Sequence, residues 1–125
     1  MTPQLIVTGA SGALGRNLLQ NPPSGFALKL VSANDHRLQE GDFSTIPAAA
    51  LPKEEWNHST SILHLAAAKP KSSPIKLERV NVQFTLKLAQ LAKTKGVKDF
   101  IFTSCTIYTI EYRIYKFKII ILREP

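Results

Sequence analysis

The sequence predicts an α/β fold, a doubly wound parallel sheet with crossover helices on its faces. Three observations lead there. Short apolar runs alternate with segments of helical periodicity through residue 104, the order that generates parallel strands joined by crossovers. The apolar runs are continuous rather than alternating, as in strands buried on both faces. A glycine-rich turn joins the first apolar run to the first helical segment, the punctuation of a tight strand-to-helix connection.

The elements follow in order. Gln4–Thr8 (QLIVT) is a β-branched apolar run between a proline and glycines and reads as a buried strand. Ala13–Gln20 follows as a helix with Leu14, Leu18 and Leu19 on one face. Asn21-Pro22-Pro23-Ser24-Gly25 is a loop by its breakers. Phe26–Val31 (FALKLV) is a second strand and Arg37–Gly41 a short third. Ile46–Trp56 reads as helical, broken at Pro47 and Pro52, and Ser61–Ala66 (SILHLA) as a fourth strand. After a loop at Lys69–Pro74, Ile75–Lys95 is the clearest helix, with Leu77, Val80, Phe84, Leu88 and Leu91 recurring at helical spacing. Gly96 stops it, and Asp99–Thr103 (DFIFT) is the fifth strand. Composition changes near Ile107: all three tyrosines fall in the last 18 residues, with no glycine or cap signal to punctuate them.

A chain of 125 residues makes one domain. With 44% hydrophobic and 20% charged residues it is globular rather than disordered. The longest aliphatic run, Ile119–Leu122, is far short of the roughly 20 residues a membrane helix needs, so no membrane partner is expected. No signal peptide is visible, and the single Cys105 excludes an internal disulfide or a cysteine-cluster metal site, which makes cytoplasm the simplest compartment. The net charge of +7 is scattered, and Lys93, Lys95 and Lys98 suit a helix C-terminus. Without a recognised binding motif the charge does not imply nucleic acid.

The informative segment is Thr8-Gly9-Ala10-Ser11-Gly12-Ala13-Leu14-Gly15. Gly9 permits a tight turn, Gly12 lets backbone approach a pyrophosphate, and Gly15 lets the helix pack against the sheet. The helix N-terminus then offers unpaired N–H groups to the phosphates, the physics of a dinucleotide-binding turn. An acid about 20 residues on would bind ribose hydroxyls and favour NAD. Asp35 lies 20 residues after Gly15. Arg37 and Arg16 could instead meet a 2′-phosphate and favour NADP, so the choice between the two stays open.

The Gly-x-x-Gly-x-x-Gly spacing of TGASGALG resembles the extended branch of the short-chain dehydrogenase/reductase superfamily, the NAD-dependent epimerase/dehydratase family. Further segments carry the resemblance over residues 4–108. Gly41-Asp42-Phe43 resembles a family segment whose aspartate and next residue touch the adenine. Ile62–Ala67 (ILHLAA) is similar to the family's fourth strand, which implies that Leu65, Ala66 and Ala67 lie by the ribose and pyrophosphate. Lys69 falls where some members use a lysine near the nicotinamide ribose. Asn81-Val82, with Leu86 and Leu88, resembles the family's helix whose asparagine lies beside the cofactor, and Gly96 through Ser104 resembles its fifth strand. The resemblance implies a Rossmann-type sheet, NAD or NADP as cofactor with Ser11, Ala13 and Leu14 sharing the phosphate turn, and a nucleotide-sugar-like substrate. Plainer readings stand beside these roles. Asp42 also reads as a turn or capping aspartate and Lys69 as a solvated loop charge. His64 reads as a packed, hydrogen-bonded core residue, and Asn81 needs a tertiary hydrogen bond, to a ligand or to backbone.

Thr103-Ser104-Cys105-Thr106-Ile107-Tyr108 resembles the family's catalytic strand end, with Ser104 as the serine that hydrogen-bonds the substrate oxygen. The family also uses Tyr-x-x-x-Lys on a helix, the lysine lowering the tyrosine pKa. Tyr112 and Lys116 match in letters, but Tyr112 stands only eight residues after Ser104. Parallel strands need roughly a dozen residues or more to cross over, so the match reads as chance. Residues 109–125 resemble nothing in the family, and its later strands and substrate domain are absent. The expectation is therefore a dinucleotide-binding portion at 1–108 with a divergent tail at 109–125. It is a truncated form with impaired or no turnover, and an uncovered sheet edge that invites self-association. The alternative is a non-catalytic dinucleotide sensor or interaction module.

Overall fold

Strand β1 (Gln4–Thr8) is the centre of the sheet, and Ile6 and Val7 on its two faces are fully buried. The structure is a computed structural model. It describes residues 2–32, 43–68, 71–109 and 113–123, with the backbone alone from residue 103 on. After β1 come α1 (Ala13–Gln20), β2 (Ala27–Ser32), β3 (Phe43–Pro47), a 3-10 helix (Ala48–Lys53) and β4 (Thr60–His64). Then α2 (Pro74–Leu77), a π-helical segment (Glu78–Phe84) and α3 (Thr85–Thr94) run as one helix into β5 (Asp99–Thr109) and β6 (Arg113–Arg123).

The sheet order is β3-β2-β1-β4-β5-β6. The first five strands are all parallel, as the apolar runs predicted, and β6 pairs antiparallel with β5. The chain winds outward from β1 to β3, then returns to β4 on the other side of β1. Connections therefore leave β1 and β4 toward opposite faces, and their carboxyl ends flank the point where the winding reverses. The alternation of side chains along each strand separates two cores. Leu5, Val7, Leu28 and Leu30 meet Leu18 and Leu19 of α1. Ile6, Val31, Ile46, Ile62 and Phe100 meet Leu88 and Ala92 of α3, Leu51 of the 3-10 helix, and Trp56. Ile62 is fully buried, so Ile62→Val should lower the unfolding free energy by about 1 kcal/mol, read from the urea midpoint at unchanged slope.

Four expectations are revised. The third strand is Phe43–Pro47, whereas Arg37–Gly41 lies outside the described residues. Ile46–Trp56 is not helical throughout: Ile46 and Pro47 finish β3, and only Ala48–Lys53 coils, as a 3-10 helix with Pro52 inside it. Two prolines in six residues remove the donors an α-helix would need. The long helix begins at Pro74, where Ser73 Oγ accepts from Lys76 N at 3.3 Å, and contains a π-helical stretch that simple periodicity does not reveal. The sheet edge expected to stand uncovered after the fifth strand is paired. Residues 99–109 and 113–123 form an antiparallel pair, Asp99 opposite Arg123 and Thr109 opposite Arg113. The edge of β5 is thus covered by β6, and β3 and β6 are the outer strands.

Candidate functional site

The turn Gly9–Gly12 leaves the carboxyl end of β1 and opens α1. Gly12 caps the helix from extended backbone (φ −73°, ψ 176°), with no side chain capping it and no acid in the first turn. The first-turn amides therefore point outward with their partial positive charge undiminished. Gly12 N donates to Gly9 O at 3.1 Å and Arg16 N to Gly12 O at 2.9 Å, which fixes the turn on the helix. The three glycines have three different reasons. At Gly9, φ is +72° and a Cβ would stand 2.5 Å from Ala66 N. At Gly15, a Cβ would stand 2.4 Å from Ala10 Cα, so its close approach is to the turn itself rather than, as expected, to the sheet. At Gly12, a Cβ would meet among the described residues only Gly9 O, at 3.4 Å, and they leave the space beyond it open.

The second wall is the segment Leu65–Ala68, which leaves β4 beside β1. A single hydroxyl joins the walls. Thr8 Oγ1 accepts from Leu65 N at 3.1 Å and from Ala66 N at 3.2 Å, and Leu65 N also reaches Thr8 O at 3.1 Å. The same Thr8 hydroxyl is hydrogen-bonded to His64 Nδ1 at 2.5 Å. On the other side of the ring, His64 Nε2 is hydrogen-bonded to Thr85 Oγ1 at 2.8 Å. Asn81, carried on the π-helical segment, accepts from Ala68 N through Oδ1 at 2.7 Å. Its tertiary bond therefore goes to backbone and holds the end of the same wall. Localised π-helical turns recur at functional sites, where they redirect a side chain from the regular helical path.

His64 is 3% exposed, with the Phe84 ring edge-on at 5.5 Å and Phe100 at 6.2 Å. Burial lowers its pKa from 6.5 to about 4. The ring is thus neutral in the folded protein at physiological pH, and it is a hydrogen-bonded core residue. Above pH 6.5 both folded and unfolded chains hold it neutral and it adds no pH dependence. Between pH 6.5 and about 4 the unfolded chain takes up the proton first, so stability falls with falling pH by about 3 kcal/mol in all. Urea titrations of the wild type and His64→Asn across this window check it: the slope attributable to His64 should vanish in the variant.

The structure gathers Gly9, Ser11, Gly12, Ala13, Leu14, Gly15, Leu65, Ala66, Ala67 and Asn81 at the carboxyl edge of β1 and β4. Leu14 there is 54% exposed, an apolar side chain beside the open turn. Phe43 is not brought in: it starts β3 level with Leu28, at the amino edge of the sheet, and packs with the α1 side core. Asp35, Arg37, Asp42, Lys69 and Tyr112 lie outside the described residues. Ser104 stands on β5 in register with Lys118, past Phe102, the last residue paired with β4. Lys116 stands on β6 in register with Thr106, so it is on a strand and not on a helix. Sequence reasoning gave Thr8 and Thr85 no roles. A threonine ending a strand before the turn glycine is a weak signal for Thr8, and nothing in the sequence marks Thr85. Among the described residues no cluster of His, Cys, Asp and Glu could hold a metal ion, and no helix is long and apolar enough to cross a membrane.

The sequence model of the NAD dependent epimerase/dehydratase family matches residues 5–111. No curated protein matches the chain. Among solved structures, a mutated uronate dehydrogenase superimposes with a TM-score of 0.67 at 21% identity, over 82% of this chain and 39% of its own. The ADP-L-glycero-D-manno-heptose-6-epimerase of Helicobacter pylori gives 0.62 at 18% identity, over 81% and 38%. A mutant of uronate dehydrogenase from Agrobacterium tumefaciens complexed with NAD gives 0.55 at 21%, over 78% and 40%. These likenesses are of fold, and the chain spans about two-fifths of the length of the structures it matches.

Proposed function

We propose, since the chain belongs to the NAD dependent epimerase/dehydratase family, that the crevice between β1 and β4 binds a nicotinamide dinucleotide through its pyrophosphate. The observation that carries the reading is the open space over Gly12 beside uncapped helix amides, at the point where the sheet winding reverses. Gly9, Ser11, Gly12, Ala13, Leu14 and Gly15 form the phosphate turn, and Leu65, Ala66 and Ala67 form the wall beside the ribose. Asn81 holds that wall through Ala68. Lys69 would meet the nicotinamide ribose and Asp42 the adenine. Asp35 favours NAD and Arg37 or Arg16 favours NADP, and the experiment decides between them. When bound, the cofactor supplies hydride transfer. The substrate class proposed for the whole enzyme is a nucleotide sugar, with Ser104 as its hydrogen-bonding serine.

A second reading, dinucleotide binding without turnover, is favoured by the strand conformation around Lys116. The described residues thus present no tyrosine–lysine pair on one helix. Calorimetry with NAD and with NADP tests the first reading: one of the two should bind folded protein with measurable heat, and silence from both overturns it. Turnover assays on nucleotide sugars separate the two. Activity lost in Ser104→Ala supports the enzyme, whereas binding that survives Ser104→Ala with no turnover supports the module.

A further inference from the structure

We propose that His64, with Thr85 behind it, is a positioning residue for the cofactor crevice, fixing the Leu65–Ala68 wall against the glycine turn through the Thr8 hydroxyl. The inference rests on the dinucleotide reading above and extends it to side chains that hold the wall from behind. The geometry is a chain of donors and acceptors with one consistent direction. The Ala66 amide, and the Leu65 amide that Thr8 Oγ1 shares with Thr8 O, both approach Oγ1 as donors, so the Thr8 proton needs an acceptor of its own. His64 Nδ1 at 2.5 Å is that acceptor. It can accept only in the tautomer that carries the proton on Nε2. Thr85 Oγ1, 2.8 Å from Nε2, selects that tautomer by accepting its proton. Thr8, Phe84, Thr85 and Phe100 are the partners of the ring, from β1, the π-helical segment, α3 and β5, and none of them is charged or titrates near neutral pH. Burial keeps the ring neutral, which the arrangement requires.

The consequence is that the register of α3 is coupled to the site. Without the Thr85 hydroxyl, the Nε2–H loses its partner in a buried setting, and the other tautomer gains. That tautomer turns an Nδ1–H donor toward the Thr8 hydroxyl, which must then rotate away or give up an amide from the wall. Because the Gly9 turn abuts Ala66 so closely, movement of Ala66 opens the crevice.

The test is the pair Thr85→Val and Thr85→Ser, both confirmed as folded by circular dichroism, with the wild type alongside. Ring nitrogen shifts in the wild type should show Nε2 protonated and Nδ1 bare. Thr85→Val should speed exchange of the Ala66 amide and weaken binding of the preferred nicotinamide dinucleotide about tenfold, and Thr85→Ser should restore both. A purely structural Thr85 would lower the melting temperature and move neither. Binding within twofold of wild type in Thr85→Val, or an Nδ1-protonated ring in the wild type, overturns the positioning role while the cofactor reading stands. A wild type that binds neither dinucleotide overturns the cofactor reading and the positioning role with it.

Discussion

Gly12→Val should leave the domain folded and weaken its binding of NAD or NADP by about a hundredfold or more. The two halves of this expectation come from one position. Gly12 has φ −73° and ψ 176°, ordinary extended backbone in which valine is comfortable. Among the described residues a Cβ there meets a single atom, Gly9 O, at 3.4 Å. The folded chain therefore tolerates the side chain, and the loss of stability should stay near about 1 kcal/mol, the usual difference between glycine and valine at a helix N-cap. A pyrophosphate approaching the first-turn amides has no such freedom. The isopropyl group would occupy the space through which phosphate oxygens reach the N–H groups, and neither a short turn nor the helix behind it can retreat. A hundredfold in affinity corresponds to about 2.8 kcal/mol, comparable to losing the charge-assisted hydrogen bonds at one phosphate. Urea denaturation and calorimetry on the same preparation check both halves. Tight binding by a folded Gly12→Val protein would overturn the phosphate assignment.

The sequence is most readable where local physics is strongest. The continuous apolar runs QLIVT and SILHLA both supply buried strands, although the second ends at His64 rather than at Ala66 as expected, and the glycines after Thr8 force a turn whatever the rest of the chain does. Those features mark a phosphate turn after β1, but that β4 lies beside β1 is settled only by the sheet order. Legibility fails where partners outside the segment decide. Ile46 belongs to a strand because β2 offers it Val31 as a neighbour, although its own surroundings, Ala48–Ala50 and Leu51, favour a helix. The tail's β-branched and aromatic residues carry a strand preference, but a strand is realised only because β5 extends to Thr109 and gives β6 an antiparallel template. The π-helical segment is invisible to a period of 3.6, yet it sets Asn81 against Ala68. The relay through Thr8, His64 and Thr85 spans three elements, and no spacing rule connects residues that distant in the chain.

Gly9→Ala should fail in the opposite way, by losing the fold rather than only the ligand. The backbone at Gly9 has φ +72°, a region that costs an alanine about 1 kcal/mol or more. The larger obstacle is space. The new Cβ would stand 2.5 Å from Ala66 N, 2.6 Å from Leu65 C and 2.7 Å from Ala66 Cα, and all three are main-chain atoms. They cannot swing aside as a side-chain tip would, because Thr8 holds Leu65 and Ala66 by the hydrogen bonds that join the two walls. Relief requires β1 and β4 to separate at their carboxyl ends or the Thr8 bonds to break, and either exposes buried donors. The expected loss is about 4 kcal/mol, in the rare and diagnostic tail of single substitutions. A small domain has on the order of 5–15 kcal/mol in total, so the variant should unfold at far lower urea. Gly25→Ala is the matched control: its φ is +83°, but no atom of the described residues lies within 4 Å of the added Cβ. It should lose only the conformational part, about 1 kcal/mol. If the two variants melt together, the contact between the glycine turn and the β4 wall is not as close as the structure has it.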